Sequence, residues 1–349
     1  MLTEAASESD EFLKAPILVG GTGRSGTTVV GRLLAASPNS VMPVPEIKIA
    51  QEPMGLVGLY DGFCRSFDSR STHYAIANFA SWARFLRRAG FSNELANRIY
   101  SRLGPRHLAE RGWPLERFAR SLHVMSVSGY GIGNVLGSKV YDEAVATLLD
   151  AVVMSCDPQG PFDTEGVIRP FYEARDLSPG DILTLGRSFL GTILAPSMRS
   201  CGASVWVDTT PKNIEQAGFM SQLLPQATFV HSIRDPIDVV QSLKRHGWSS
   251  DDFSILVKRL AVSYRRIAMV EEDLPRDKIV VVRLEDLVDQ PSREIARLCA
   301  FLKLDVGSVE SAGRRFLHPE RVTYPRLTGG EMELVNQALG STRERYGYV

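Results

Sequence analysis

One segment combines an apolar run, a glycine-rich turn and the start of an amphipathic run. Ile17-Leu18-Val19 is followed by Gly20–Thr28, which reads GGTGRSGTT. Glycines let backbone N–H groups turn inward, and a helix N-terminus adds partial positive charge. The segment therefore predicts a buried strand, an anion-binding turn, and a helix from about residue 27 to residue 36.

The turn lacks the usual lysine of an ATP-binding loop. Aligned as a P-loop on Gly21 and Gly26, it has Thr27 where the phosphate-gripping lysine stands. Its cation is Arg24, which lies inside the loop. This pattern indicates a phosphate site without the lysine and magnesium of an ATPase, and it disfavours a magnesium-dependent kinase.

The same glycines also fit the G-x-G-x-x-G pattern of dinucleotide-binding folds. Glu46 lies twenty positions after Gly26, as that pattern requires. This interpretation predicts an NAD(P)-dependent oxidoreductase, but its second strand would be residues 41–45, which contain two prolines. A third interpretation is a glycine turn that only lets a strand and a helix pack closely.

A second candidate site follows a later apolar run. Residues 228–233 have the pattern of a buried strand, and Asp235 is a suitable N-cap for the next helix. Arg234 is thereby predicted at the carboxyl end of a strand, where open parallel sheets bind ligands, and Ser242 about two turns into the helix. The alternative is that Arg234 only pairs with Asp235 or Asp238 and that Ser242 is a surface hydroxyl.

Together the two segments resemble the sulfotransferases that use 3′-phosphoadenosine-5′-phosphosulfate (PAPS). In that family x-x-[KR]-S-G-T-T holds the 5′-phosphosulfate, and Arg-Asp-Pro with a serine eight residues after the arginine holds the 3′-phosphate. The counterparts here are residues 24–28, and Arg234 with Ser242. Family-like stretches also occur at residues 206–213 and 282–288.

The resemblance implies a set of roles. Arg24 and the backbone N–H groups of the loop would hold the 5′-phosphate and stabilise charge on its bridging oxygen. The product would be adenosine 3′,5′-bisphosphate, and no metal ion would be required. The donor-binding residues would be Gly23, Arg24, Ser25, Gly26, Thr27, Thr28, Arg234, Ser242 and Arg326.

The acceptor alcohol needs a base, and Glu46 is the first candidate, since some sulfotransferases resemble this arrangement. An ion pair with Lys48 is the alternative role of Glu46. Asp208 is the next candidate base, and further candidates are His73, His107 and His123.

The sequence departs from the family at two positions. Thr209 stands where many members have a lysine that helps the leaving group, and Lys212 is the candidate substitute. Leu284 stands where the family often has a tyrosine beside the adenine. The glycine-bearing segment that often touches the 3′-phosphate is represented only by Arg326–Gly330.

Composition limits the other classes of function. Lysine and arginine number 40, as do aspartate and glutamate, so the charge balance disfavours a general nucleic-acid binder. The four cysteines show no C-x-x-C pair, which favours reduced thiols and a cytoplasmic protein. Residues 1–14 are polar and predict a mobile tail, and no apolar run has the length of a membrane span.

The pattern of the chain predicts an α/β fold, with a parallel P-loop-like sheet of the sulfotransferase type and helices on both faces. Residues 15–50 and 204–349 would form this nucleotide-binding core, with strands at 204–207, 228–233 and 278–284 and helices near 212–223, 236–246, 252–271 and 292–303.

Residues 51–203 would be a helical insertion without strands that shapes the acceptor pocket. Its predicted helices are 74–89, 92–103, 114–125, 141–155 and 179–200, and 156–180 would be an irregular loop. The aromatic residues Trp82, Phe85, Trp113 and Phe171 would be core or pocket lining.

These expectations favour a sulfotransferase that moves a sulfuryl group from PAPS to a hydroxyl of a small molecule, glycan or lipid. An NAD(P)-dependent oxidoreductase and a non-catalytic nucleotide-binding module are the alternatives.

Overall fold

The computed structural model describes residues 13–103, 132–158, 170–246, 252–317 and 326–348. The chain divides into two compact units. One consists of Lys14–Met42 and Ala203–Val349, and the other contains Pro43–Gly202.

The strands and helices of the described chain are numbered in chain order. The strands are β1 Ile17–Gly20, β2 Ser40–Val41, β3 Val153–Asp157, β4 Phe171–Ala174, β5 Val205–Asp208, β6 Thr228–Ile233 and β7 Ile279–Arg283. The helices are α1 Thr27–Leu34, α2 Leu56–Cys64, α3 Ser69–Arg102, α4 Ile132–Val135, α5 Ser138–Val152, α6 Pro179–Ser200, α7 Ala217–Leu223, α8 Pro236–His246, α9 Phe253–Asp273, α10 Leu284–Asp289, α11 Pro291–Leu302, α12 Val306–Phe316 and α13 Gly329–Arg345.

The first unit is built on a five-stranded parallel sheet in the order β2-β5-β1-β6-β7. β1 is central, with Ile17 opposite Val207 on one side and opposite Thr228 on the other. In a dinucleotide-binding fold the first two strands are neighbours. Here β5 separates β1 from β2, so the topology disagrees with the G-x-G-x-x-G interpretation.

Helices cover both faces of this sheet, as the sequence predicted. On one face, α1, α10, α11 and α12 pack on apolar side chains that include Val19, Val207 and Val282. On the other face, α8, α9 and α13 pack around Ile233. The predicted fold class, a parallel sheet flanked by helices, is therefore confirmed.

Strand β2 is shorter than residues 41–45. It pairs with β5 through Ser40 and Val41 alone. Pro43 and Pro45 follow, and proline has no N–H to donate to a strand ladder. The edge strand is therefore two residues long.

The second unit is largely helical but contains a hairpin that sequence analysis missed. β3 and β4 pair antiparallel, with Cys156 opposite Tyr172. The expectation of no strands between residues 51 and 203 was therefore wrong. The helix predicted over 141–155 is α5, which ends at Val152, where the chain becomes extended as β3.

Two predicted helices of this unit are a single one. α3 runs through Ser69–Arg102, so Gly90 does not interrupt it. A single glycine costs a helix only about 1 kcal/mol, which a long helix tolerates. The helix predicted over 114–125 lies outside the described residues. α6 occupies Pro179–Ser200 as predicted and begins with a capping box between Ser178 and Asp181.

Candidate functional site

The glycine-rich loop folds back on itself between β1 and α1. The Ser25 hydroxyl donates to the Thr22 carbonyl oxygen over 2.7 Å, and the Ser25 N–H donates to the same oxygen over 3.2 Å. Gly26, the residue before α1, has φ 93°, the left-handed conformation that favours glycine. Thr27 is the first residue of the helix, so its backbone and that of Thr28 lie at a helix N-terminus.

Strand β6 lies directly against this loop. The buried Ser232 hydroxyl donates to the Ser25 carbonyl oxygen over 2.8 Å. A Cβ on Gly21 would lie 2.3 Å from the Ser232 carbonyl oxygen, so only glycine permits this approach. The loop and the carboxyl end of β6 thus form one continuous surface.

Arg24 connects the two segments that the sequence singled out. Its Nε donates to the Ser242 hydroxyl over 2.9 Å, although the two residues are 218 positions apart. Ser242 is fully buried on α8, so it is not the surface hydroxyl of the alternative interpretation. The residues assigned to the 5′- and 3′-phosphates therefore meet in one place.

Arg234 takes part in the ion pair that the alternative interpretation predicted. Its Nη2 lies 2.9 Å from Oδ2 of Asp238, and the arginine side chain is only 16% exposed. Asp238 is 39% exposed, so solvent screens this pair and its contribution to stability is small. An anion bound at Arg234 would compete with a partly solvated carboxylate.

Tyr264 links the loop to the Arg234 turn, and sequence analysis missed it. Its hydroxyl accepts a hydrogen bond from the Thr22 hydroxyl over 3.3 Å and donates to the Arg234 carbonyl oxygen over 3.5 Å. Burial raises the pKa of this tyrosine, so it remains a neutral donor. In the sequence it is one aromatic residue in the apolar stripe of α9, and nothing there reveals that its hydroxyl has partners.

Asp208 holds the turn that follows β5. Its fully buried carboxylate accepts hydrogen bonds from the Thr210 N–H over 3.0 Å and from the Asn213 side chain over 2.7 Å. The same Asn213 amide donates to the Val19 carbonyl oxygen over 3.0 Å, which ties the turn to β1. These contacts indicate a structural role for Asp208.

Lys212 and Thr209 occupy the same turn. Lys212 lies half-buried in the single helical turn Pro211–Asn213, and Thr209 is fully buried. The Pro211 carbonyl oxygen accepts the Gly21 N–H over 2.9 Å, so the turn that carries Lys212 is bonded to the glycine-rich loop. Arg326 is exposed and lies just before α13.

Glu46 belongs to the other compact unit, where it pairs with Lys48. Glu46 Oε2 lies 3.3 Å from Lys48 Nζ, and their side chains are 13% and 18% exposed. The ion pair that was the alternative role of Glu46 is therefore present.

His73 packs inside the second unit. Its ring stacks on Phe171 with the centroids 4.6 Å apart, and its Nδ1 accepts the Tyr172 N–H over 3.1 Å. Burial lowers the pKa of His73. These contacts join α3 to the hairpin and indicate packing rather than catalysis.

The other candidate residues of the second unit either pack against each other or lie outside the described residues. The Trp82 and Phe85 rings stack on each other with the centroids 5.2 Å apart. His107, His123 and Trp113 lie outside the described residues.

The part of the chain that the structure describes contains neither a candidate metal site nor a candidate membrane span. It holds no cluster of three His, Cys, Asp or Glu side chains suited to a metal ion. It also holds no helix with the length and apolar character needed to span a membrane.

Comparison with known proteins assigns a class to part of the chain. Residues 158–308 match the model of the sulfotransferase family. The stretch that carries Asp208, Lys212, Arg234 and Ser242 therefore matches the sulfotransferase family, which confirms the resemblance over these residues. A search of proteins with curated functions finds no significant match.

Solved sulfotransferase structures are also similar to this chain. Sulfotransferase STF1 from Mycobacterium tuberculosis H37Rv is 15% identical, with 100% of this chain and 82% of that chain covered and a TM-score of 0.47. STF9 from Mycobacterium avium is 12% identical, with 99% and 81% covered and a TM-score of 0.45. The sulfotransferase domain of the Synechococcus PCC 7002 olefin synthase is 14% identical, with 93% of each chain covered and a TM-score of 0.42.

Proposed function

We propose that this protein transfers a sulfuryl group from PAPS to a hydroxyl of a small molecule, glycan or lipid. The observation that carries the proposal is the contact between Arg24 and Ser242, which joins the loop suited to the 5′-phosphosulfate to the helix suited to the 3′-phosphate. Adenosine 3′,5′-bisphosphate carries two separate phosphates on one ribose, so it fits two adjacent anion sites better than a dinucleotide, whose phosphates form one pyrophosphate bridge.

The loop offers donors and space for the 5′ side of the nucleotide. A Cβ on Gly23 would meet no atom within 4 Å, so the backbone there faces open space. Arg24 and the N–H groups of residues 23–28 would hold the 5′-phosphate, and the planar guanidinium would stabilise the charge on the departing bridging oxygen. Thr27 and Thr28 would add hydroxyl and backbone donors.

The 3′-phosphate would be held by Arg234 and Ser242. Arg234 would exchange Asp238 for the phosphate, and Ser242 would donate its hydroxyl. Arg326 is proposed as a further contact, because it lies in the only segment here that resembles the family's glycine-bearing one.

PAPS supplies an activated sulfuryl group, and the protein mostly positions reactants and stabilises charge. Glu46 is the proposed base that removes the acceptor proton, with Asp208 as the alternative. Lys212 is proposed to assist the leaving group in place of the lysine that Thr209 replaces. The sulfuryl group carries less charge than a γ-phosphoryl group, so the proposal includes no metal ion.

The proposal also includes a cytoplasmic location. The support is chemical: in the described chain Cys64, Cys156, Cys201 and Cys299 are all free thiols, as expected in a reducing compartment.

Calorimetric titration with adenosine 3′,5′-bisphosphate, adenosine 5′-phosphate and NAD tests the donor assignment. Of these three ligands, we expect only the bisphosphate to bind tightly. Arg234→Ala should weaken this binding by roughly 2–4 kcal/mol, because a charge-assisted bond is lost. Arg265→Ala, at an exposed position on α9, removes the same charge and serves as the control. Binding of NAD without binding of the bisphosphate would refute the proposal.

Transfer of labelled sulfate from PAPS to a pool of hydroxyl-bearing acceptors tests the activity. Transfer excludes the non-catalytic nucleotide-binding module. Binding of the bisphosphate without transfer to any acceptor would favour that module instead.

A further inference from the structure

The turn that carries Arg234 is held from both sides through Asp235. The Asp235 N–H donates to Oε1 of Glu285 over 3.0 Å, and its Oδ1 accepts the Ile237 N–H over 2.9 Å at the start of α8. Glu285 belongs to the 282–288 stretch, to which the resemblance gave no role. Its contact with Asp235 now supplies one.

Arg343 of α13 forms hydrogen bonds with the carboxylate of Asp235. Its Nε and Nη2 lie 3.1 and 3.3 Å from Oδ1 and Oδ2 of Asp235, which makes a two-bond pair. Its Nη2 also donates to the Tyr348 carbonyl oxygen over 2.6 Å. The planar fork of arginine fixes the direction of a carboxylate in a way that lysine does not.

Tyr348 completes a closed set of hydrogen bonds that connects Asp235, Glu285 and Arg343. It is buried, and its hydroxyl donates to Oε2 of Glu285 over 2.8 Å, the oxygen that Asp235 does not use. The Arg283 guanidinium lies 4.3 Å from the centre of the Tyr348 ring. Burial and the nearby Glu285 charge raise the pKa of Tyr348, so it stays a donor. We call Asp235, Glu285, Arg343 and Tyr348 the turn clamp.

A second arginine of α13 contacts α9 through residues outside the turn clamp. Arg345 pairs with Glu272 over 2.8 Å and with Glu271 over 3.5 Å, both on α9. Arg343 instead reaches the residue next to Arg234. Its partner is 24% exposed and its own side chain 20%, so the pair lies at the edge of the site rather than in the core.

We propose that the turn clamp positions Arg234 for the 3′-phosphate, with Arg343, Glu285 and Tyr348 as positioning residues. This inference rests on the proposed function. Arg234 follows the end of β6 directly, so its side chain can be aimed only as well as the Asp235 backbone is held. The clamp fixes both the N–H and the carboxylate of Asp235, and it thereby sets the direction in which the guanidinium leaves the strand.

The test compares Arg343→Gln with Arg345→Gln in the full chain by titration with adenosine 3′,5′-bisphosphate and adenosine 5′-phosphate. The quantity of interest is the ratio of the two affinities, which reports on the 3′-phosphate alone. We expect Arg343→Gln to lower this ratio about tenfold, equivalent to about 1.4 kcal/mol, and Arg345→Gln to leave it unchanged.

Two further variants separate positioning from folding. Tyr348→Phe removes one hydroxyl and keeps the ring, and it should lower the ratio while the melting temperature stays close to that of the native protein. Arg343→Gln combined with Arg234→Ala should cost little more than Arg234→Ala alone, because both act on one contact.

The possible failures are distinct. If the native protein does not bind the bisphosphate, the proposed function is wrong and the clamp has no nucleotide to serve. If the native protein binds it and the ratio is unchanged in both Arg343→Gln and Tyr348→Phe, only the clamp proposal is overturned.

Discussion

Replacing Gly26 with alanine is predicted to destabilise the protein, whereas the same change at Gly23 is not. A Cβ on Gly26 would lie 2.9 and 3.0 Å from the two Cδ atoms of Leu284, at a backbone φ of 93°. At Gly23 a Cβ meets nothing within 4 Å, and its φ lies outside the left-handed region. The two glycines belong to one loop, so each is the control for the other.

The magnitude for Gly26→Ala follows from three contributions. The left-handed conformation costs a residue with a Cβ about 1–2 kcal/mol. The overlap with Leu284 adds about 1 kcal/mol, at the low end of overpacking, because the Cδ atoms can move. Alanine also lowers the conformational entropy of the unfolded chain, which restores about 0.4–1 kcal/mol of stability. The net loss is about 1–3 kcal/mol, against a change within about 0.5 kcal/mol for Gly23→Ala.

Urea unfolding followed by circular dichroism measures both changes, with midpoints compared at equal slopes. Titration with adenosine 3′,5′-bisphosphate should show the opposite order of effects, because a methyl group on Gly23 enters the space proposed for the phosphate. Adding Leu284→Ala to Gly26→Ala should remove the steric overlap, whereas the cost of the left-handed backbone conformation remains. Equal unfolding midpoints for the two single variants would refute this reasoning.

Three further changes have distinct expected outcomes. Glu46→Gln should lower turnover by roughly 10²–10⁴-fold and leave bisphosphate affinity intact, and normal turnover would leave Glu46 as only the ion-pair partner of Lys48. Asp208→Ala should lower stability by about 1–3 kcal/mol, since the buried Thr210 N–H and the Asn213 amide lose their acceptor. Lost turnover with an unchanged melting temperature would make Asp208 the base instead. Burial raises the pKa of Glu271, but bonds from His231 and other neighbours bring it below its usual 4.5. Its stabilisation is therefore present above that value and is lost as the pH falls through the folded-state pKa. Glu271→Gln should flatten the acid side of a plot of urea midpoint against pH.

Local patterns predicted the sheet of the first unit well. β6 and β7 lie within one residue of their predicted bounds, and α8, α9 and α11 begin within one residue of theirs, as expected for strongly periodic segments. Pro43 and Pro45 counted against a strand over residues 41–45, and β2 is limited to Ser40 and Val41.

Sequence analysis missed the hairpin of the second unit. Val153 continues the apolar spacing of α5, so sequence periodicity does not mark the change to an extended chain. The partner strand begins at Phe171, directly after Pro170 and among the prolines that predicted an irregular loop. Pairing with a distant strand overrides such local preferences.

The sequence identified residues of the site but did not predict the contacts between them. The motifs indicated Arg24, Arg234 and Ser242, yet the bond between Arg24 and Ser242 spans 218 positions. No local pattern encodes such a distance. The clamp on Asp235 is similar, because Arg343 stands in an ordinary basic last turn of α13.

The central place of β1 has a consequence for synthesis on the ribosome. Ile17 pairs with Val207 and Thr228, so β1 gains its neighbours only after about 190 more residues have been made, roughly 10–40 s at ordinary elongation rates. During that interval both ladder edges of β1 have no native partner, and of the helices that cover its apolar face only α1 has been made. The nascent chain is therefore expected to depend on chaperones at this stage, and slower translation between the two segments should lower the soluble yield.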